Sequence, residues 1–230
     1  MKHSFIAALF LFTIQCTPLQ QAAGNLSGTS NQQNQIADGL KQALTIGTQN
    51  STNRLSAVDG FFGNAAVKIL MPPEAKNVEN TLRTFGMGSL VDKTVLSLNR
   101  AAEDAAKSAT PIFINAIKQM TISDALGILR GGDFAATNYF KQKTTAALAS
   151  AFKPTISSSL DKVNATKYWS DVFTAYNRFS SKPVTTDLTA YVTQKAIDGI
   201  FYEVGLEEQK IRKDPAARVT DLLKSVFSQQ

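Results

Sequence analysis

Cys16 is the only thiol in this chain of 230 residues and His3 the only imidazole, and both lie within its first sixteen positions. From Thr17 onward neither residue type occurs. That excludes an intrachain disulfide, zinc-finger ligation, thiol redox chemistry, a cysteine nucleophile, Ser-His-Asp triads and imidazole acid–base catalysis from the remaining chain. Any chemistry there falls to carboxylates, cationic side chains and hydroxyls. The candidate polar cluster is Arg100, Glu103, Glu208 and Arg212. On helices, Asn99 shares a face with Glu103, Arg100 with Asp104, and Glu208 with Arg212, each four residues apart. One reading joins the four into a buried charged site around a ligand; the expected one is exposed ion pairs plus one structural bridge between helices. A Glu103–Glu208 pair would suit glycoside hydrolysis only at a defined separation, which the sequence does not set.

Asp124 and Asp133 flank the turn LRGGD and could offer oxygen ligands to Ca²⁺ or Mg²⁺. The spacing is not that of an EF-hand, so both are expected to cap helices, with no metal and no cofactor. Gly131 and Gly132 are expected to end a helix in the left-handed conformation. No Lys-Ser or Lys-Thr follows them, so they form no phosphate loop. Tyr139 and Phe140, and separately Tyr168, Trp169, Phe173 and Tyr176, make two aromatic clusters. Core packing is their default role and an apolar or glycan-binding groove the sharper alternative.

Cys16 closes a segment with its own logic. Lys2 is followed by the apolar run Phe5 to Ile14, too short to span a bilayer. Residues 1–15 therefore read as an export signal of lipoprotein type, with Cys16 as the lipidation site. Thr13, Ile14 and Gln15 depart from the usual Leu, small residue, Gly or Ala that precede such a cysteine. The alternative is a plain secretory signal cleaved near Ala22 or Ala23. Residues 16–34 are rich in Gln, Asn, Ser, Thr and Gly and carry no charge, the composition of a flexible polar tether. Acyl chains on Cys16, at about 0.8 kcal/mol per buried methylene, would hold the protein on a membrane.

Residues 35–230 are long enough for one domain, and nearly every periodic stretch within them is helical. The expected class is all-α, a multi-helix bundle or array with at most one short extended segment near residues 65–71. A first amphipathic helix starts at Gln35, and Glu74 to Phe85 forms another, stopped by Gly86-Met87-Gly88. The longest helix is expected from near Ser89, with Pro111 kinking it or starting the next. Thr121 to Asp124 forms a capping box. A helix after Asp133 breaks at Pro154, and further helices cover Thr155 to Val163, Lys167 to Phe179, Asp187 to Arg212 and the stretch from Pro215 through Phe227. The net charge of +6 is dispersed, with no dense basic block.

The stretch GILRGGDFAATNYFKQKT, Gly127 to Thr144, resembles the signature of a bacterial family, domain of unknown function 4197. Other strings similar to it follow in order: GLKQAL at Gly39, DGFFGN at Asp59, LNRAAEDAA at Leu98, DLTAYVTQKAIDGIF at Asp187, EEQKIR at Glu207 and LLKSVF at Leu222. The resemblance implies an exported, often lipid-anchored helical protein, and CTPLQQ (Cys16 to Gln21) is similar to the string that commonly follows the family's cysteine. It implies no activity, because the family has none assigned. The expected function is a non-enzymatic helical binding module of the cell envelope, on the periplasmic side of a bacterial membrane, most simply the outer one. Its expected partners are the membrane, through Cys16, and an envelope protein or lipid, not nucleic acid. The alternatives are a carrier of apolar ligands, with a cavity lined by Ile112, Phe113, Phe140 and Leu148, and a histidine-independent hydrolase.

Overall fold

Alanine sets how closely the helices approach. Ala101, Ala102, Ala105, Ala106 and Ala109 are all fully buried, and their single methyl groups let neighbouring helices pack directly on this stretch. The computed structural model describes residues 19–178, 183 and 187–214; the side chains of residues 19–30, 171, 172, 175 and 176 lie outside that description. Its elements are α1 (Leu19–Ser56), a 3-10 turn (Pro73–Ala75), α2 (Lys76–Thr84), α3 (Gly88–Ala106), α4 (Ala109–Gln119), α5 (Ile122–Arg130), α6 (Ala135–Asp161), α7 (Ala165–Asn177) and α8 (Leu188–Lys213). Among the described residues there is no strand, and the protein is all-α.

α6 lies between α8 and α3, while α1 packs across α8, α4 and α5. The contact faces are rows of every fourth residue. On α6 the buried row is Ala136, Phe140, Thr144, Leu148, Phe152, Ile156 and Leu160; on α8 it is Leu188, Val192, Ala196, Ile200, Val204 and Glu208. Such four-residue ridges are the ones that interdigitate between packed helices. Phe113 of α4 meets Phe140 edge-to-face at 5.2 Å and Phe201 of α8 at 6.2 Å, joining three helices. Each such aromatic pair adds about 1 kcal/mol beyond burial.

Several expectations differ from the structure. α1, α6 and α8 are all longer than α3, because the run from Ser89 divides at Lys107–Ser108. Pro111 falls in the first turn of α4, where its missing N–H costs no hydrogen bond. Pro154 does not break α6. It is exposed, as is Ser150, whose carbonyl loses its partner, so that group is open to solvent while Phe152 and Ile156 hold the flanking turns in the core. The backbone is helical from Leu19, although composition marks residues 16–34 as a tether. Residues 31–35 are exposed and the first buried residue described is Ala37, so the turns before it extend a packed helix, gaining a hydrogen bond per residue once the nucleus exists. The segment near residues 65–71 forms no ladder. Ile69 is held instead by the Asn99 carboxamide, which accepts its N–H and donates to its C=O, both at 2.8 Å. Residues 1–18, with Cys16, and the expected terminal helix from Pro215 lie outside the described residues.

Candidate functional site

α8 carries three buried carboxylates, Glu203, Glu207 and Glu208, on the face that meets α1, α3 and α6. A buried charge is tolerated only when paired and hydrogen-bonded. Arg54 of α1 answers two of them, with Nη1 2.6 Å from Glu203 and Nη2 2.7 Å from Glu207. Its pKa is held above the ordinary guanidinium value, first by the hydrogen bond to Glu207. Asn64 donates to the other Glu203 oxygen at 2.8 Å and Asn50 to Glu207 at 3.3 Å.

Glu103 of α3 is buried and receives the amides of Phe61 (3.1 Å) and Phe62 (3.2 Å) on Oε1. Its Oε2 accepts from Arg100 at 2.6 Å, and Arg100 also reaches Asp59 at 2.7 Å. Asn99, fully buried, ties the same loop down at Ile69. The expected partner of Arg100, Asp104, pairs instead with Lys107 on the surface. Glu208 accepts from the amides of Ala136 (2.9 Å) and Thr137 (2.8 Å) and from the Thr137 hydroxyl (2.8 Å). It also accepts from Arg212, which donates onward to the carbonyls of Ile128 (2.7 Å) and Leu129 (3.3 Å).

Arg100, Glu103, Glu208 and Arg212 thus fall into two pairs with different anchors. Arg100–Glu103 clamps the loop after α1; Glu208–Arg212 joins the amides that open α6 to the carbonyls that close α5. The second pair matches a negative group to a positive helix end and a positive group to a negative one. Where exposed ion pairs and one structural bridge between helices are expected, Glu208–Arg212 is a buried bridge, with side chains 5% and 10% exposed, and Arg100 joins the buried Glu103 to the exposed Asp59. The sequence reading missed Arg54, Glu203 and Glu207, whose signal was an acidic pair at four-residue spacing beside the apolar row of α8.

The LRGGD turn divides its expected roles. Asp124 does cap α5: its amide donates to the Thr121 hydroxyl oxygen, and its Oδ2 accepts from Thr121 N at 3.0 Å and from the Thr121 hydroxyl at 2.7 Å. These bonds, the hydroxyl's first, hold the Asp124 carboxyl below the ordinary range. Asp133 does not cap α6; it pairs with Lys213 at 3.0 Å, because Glu208 already takes the α6 amides. Gly131 sits at φ −75°, not in the left-handed region. Glycine is needed there for space, since a Cβ would lie 2.5 Å from that of Ala135. Gly132 lies exposed in the turn. Among the described residues no three His, Cys, Asp or Glu side chains gather as metal ligands.

Two concave regions carry polar groups outside the buried networks. Between α4, α5 and α6 lies a cleft of about 250 Å³ whose floor includes Ile112 and Ala116 and whose rim carries Asn115, Asp124, Tyr139, Lys143 and the exposed Ala147. Lys143 sits 5.8 Å from the Tyr139 ring centre. Burial, then the Asp124 charge, raises the Tyr139 phenol above its ordinary pKa. Among the described residues neither the phenol nor the Lys143 ammonium has a hydrogen-bond or ion-pair partner. A wider depression of about 440 Å³ between α1 and α5 has Gln33, Ser123 and Arg130 as its polar lining. The other aromatic cluster packs inward at Trp169 and Phe173, 4.3 Å apart, leaving Tyr168 exposed; the Tyr176 side chain is outside the described residues.

No curated protein matches this chain, and no solved structure does. A family model described as protein of unknown function (DUF4197) matches residues 30–228, which takes in every helix of the core and the strings around Asp59, Leu98, Gly127 and Glu207. The chain belongs to that family.

Proposed function

We propose that this protein is a non-enzymatic binding module of the bacterial cell envelope, exported and held at the periplasmic side of a membrane by a lipid on Cys16. The observation that carries the binding reading is the division of its polar groups. The buried carboxylates of α3 and α8 are occupied by amides and cationic side chains, leaving no acid–base pair poised over a reacting atom. The cleft beside Tyr139 and Lys143, in contrast, presents polar groups to solvent over an apolar floor, the arrangement of a ligand site. The cysteine-terminated apolar segment and the uncharged stretch after it support the anchor. Among the described residues no single helix is long and apolar enough to cross a membrane.

The carrier alternative needs room between the long helices. Phe113, Phe140 and Leu148 are fully buried there, and the voids found between α1, α6 and α8 measure about 20 and 10 Å³, space for roughly one water molecule. Intact-mass measurement of the membrane-extracted protein tests the anchor: an acylated chain beginning at Cys16 is expected, and one beginning at Ala23 or Gly24 overturns it. Purification in mild detergent tests the module: consistent recovery as a ligand-free, partnerless monomer counts against binding.

A further inference from the structure

The chemistry of the α4–α5–α6 cleft narrows what it can hold. Asp124 and Lys143 contribute opposite charges to its rim, so a net anion or cation gains from one and is repelled by the other. Their mutual attraction also appears in the lowered Asp124 pKa, to which Lys143 contributes. The remaining rim groups pair best with a neutral ligand that both donates and accepts. Asn115 offers an amide N–H₂, its oxygen already accepting from Gln119 at 3.3 Å, and Tyr139 offers a hydroxyl that can do either. A hydroxyl-rich ring meets those demands, and the Tyr139 ring supplies an apolar wall for its C–H edge. The floor of Ile112 and Ala116, with Ala147 at its exposed edge, adds a second requirement, a small apolar group on the same ligand. At about 250 Å³ the cleft is at the small end of ligand sites and holds one ring, not an extended chain.

We propose that this cleft binds a single N-acetylated amino-sugar ring of a glycan. Its acetamido methyl rests on Ala116 and Ala147, its acetamido carbonyl accepts from Asn115, and its hydroxyls bridge Asp124, Tyr139 and Lys143. A plain hexose leaves the apolar floor covered by a hydroxyl and forfeits both the methyl contact and the carboxamide pairing. This assignment rests on the binding-module reading and specifies its ligand class.

The test is titration of the full chain with tri-N-acetylchitotriose and, in parallel, maltotriose, read by calorimetry and by amide chemical shifts. The N-acetylated trimer is expected to bind and to shift amides in residues 112–124 and 139–147, with maltotriose about tenfold weaker or worse. Lys143→Ala and Asn115→Ala, both at exposed positions, should each weaken binding about tenfold, the loss of one hydrogen bond of this kind, at an unchanged melting temperature. Absence of binding, binding indifferent to both substitutions, or equal affinity for maltotriose overturns the proposal. A photo-crosslinker at Gln119 in living cells separates the two readings. An adduct that forms while the trisaccharide fails to bind removes the sugar assignment and keeps the module; no adduct and no binding removes both.

Discussion

Glu208 and Asp124 are both carboxylates that cap a helix N-terminus, and they do so in opposite settings. Glu208 reaches from α8 to the amides of α6, is 5% exposed, and spends its oxygens on three donors from α6 and on Arg212. Asp124 caps its own helix with one oxygen and leaves the other at the rim of an open cleft. The contrast extends to their surroundings. Around Glu208, Glu203, Glu207 and Glu103 the polar groups are inside and satisfied; around Asp124 they are outside and uncommitted. Satisfied burial specifies architecture, because breaking any bond leaves a group with no water to turn to. Uncommitted exposure costs the fold little and is available to a ligand. Within one molecule, the same functional group therefore marks framework in one place and the rim of the proposed binding cleft in another.

Stability measurements can break this comparison. The largest effect is expected for Glu208→Ala, which strands the Arg212 guanidinium and opens the α6 amides. A loss of about 3–5 kcal/mol in urea unfolding is predicted, and a loss below about 1 kcal/mol would place Glu208 with the cleft groups. Asn99→Ala comes next. It leaves the buried N–H and C=O of Ile69 without partners, at a cost of about 1–3 kcal/mol each before relaxation.

Thr121→Ala is expected to cost about 1 kcal/mol, the usual value of an N-cap. That effect carries a pH signature. Because the Asp124 carboxyl is depressed in the folded state, its contribution is complete above the ordinary carboxylate pKa and disappears as pH falls through the depressed value. The melting temperatures of the native chain and of Asp124→Asn should therefore converge in acid and separate toward neutrality. The smallest effect sharpens the comparison from the other side: Lys143→Ala and Asn115→Ala should move stability by no more than about 0.5 kcal/mol. A large loss from either would make the cleft part of the framework.

Much of the fold was legible because amphipathic spacing reports which face a helix buries. The rows Val91, Val95, Leu98, Ala102 and Ala105 on α3 and Phe140, Thr144 and Leu148 on α6 are buried as their spacing predicts. The Thr121–Asp124 capping box was equally local and equally readable. What escaped depends on distant chain segments. Pro154 reads as a break until one knows that the Ser150 carbonyl it leaves open is on the exposed face and that its neighbours face the core. Asp133 reads as the cap of α6 until Glu208, 72 residues from the Ala136 amide, takes that place. Of the cleft's polar rim, Asp124 stood out in the sequence as a cap and Tyr139 as part of an aromatic pair with Phe140; Lys143 and Asn115 carry no local signal, and only packing brings Asn115 of α4 beside the α6 residues.

The clasp formed by Glu208 and Arg212 also bears on the order in which this protein can be made. Polypeptides emerge N-terminus first, so α5 and α6 exist long before the residues that close their ends. Until α8 arrives, the amides of Ala136 and Thr137 lack their carboxylate, Arg54 has neither acidic partner, and α6 can pack on its α3 and α4 sides but not on its α8 side. The buried polar framework is therefore complete only once α8 is in place. For a chain proposed to be exported, a framework that waits on α8 leaves the preceding helices without their buried ion pairs until Glu203, Glu207 and Glu208 have been delivered.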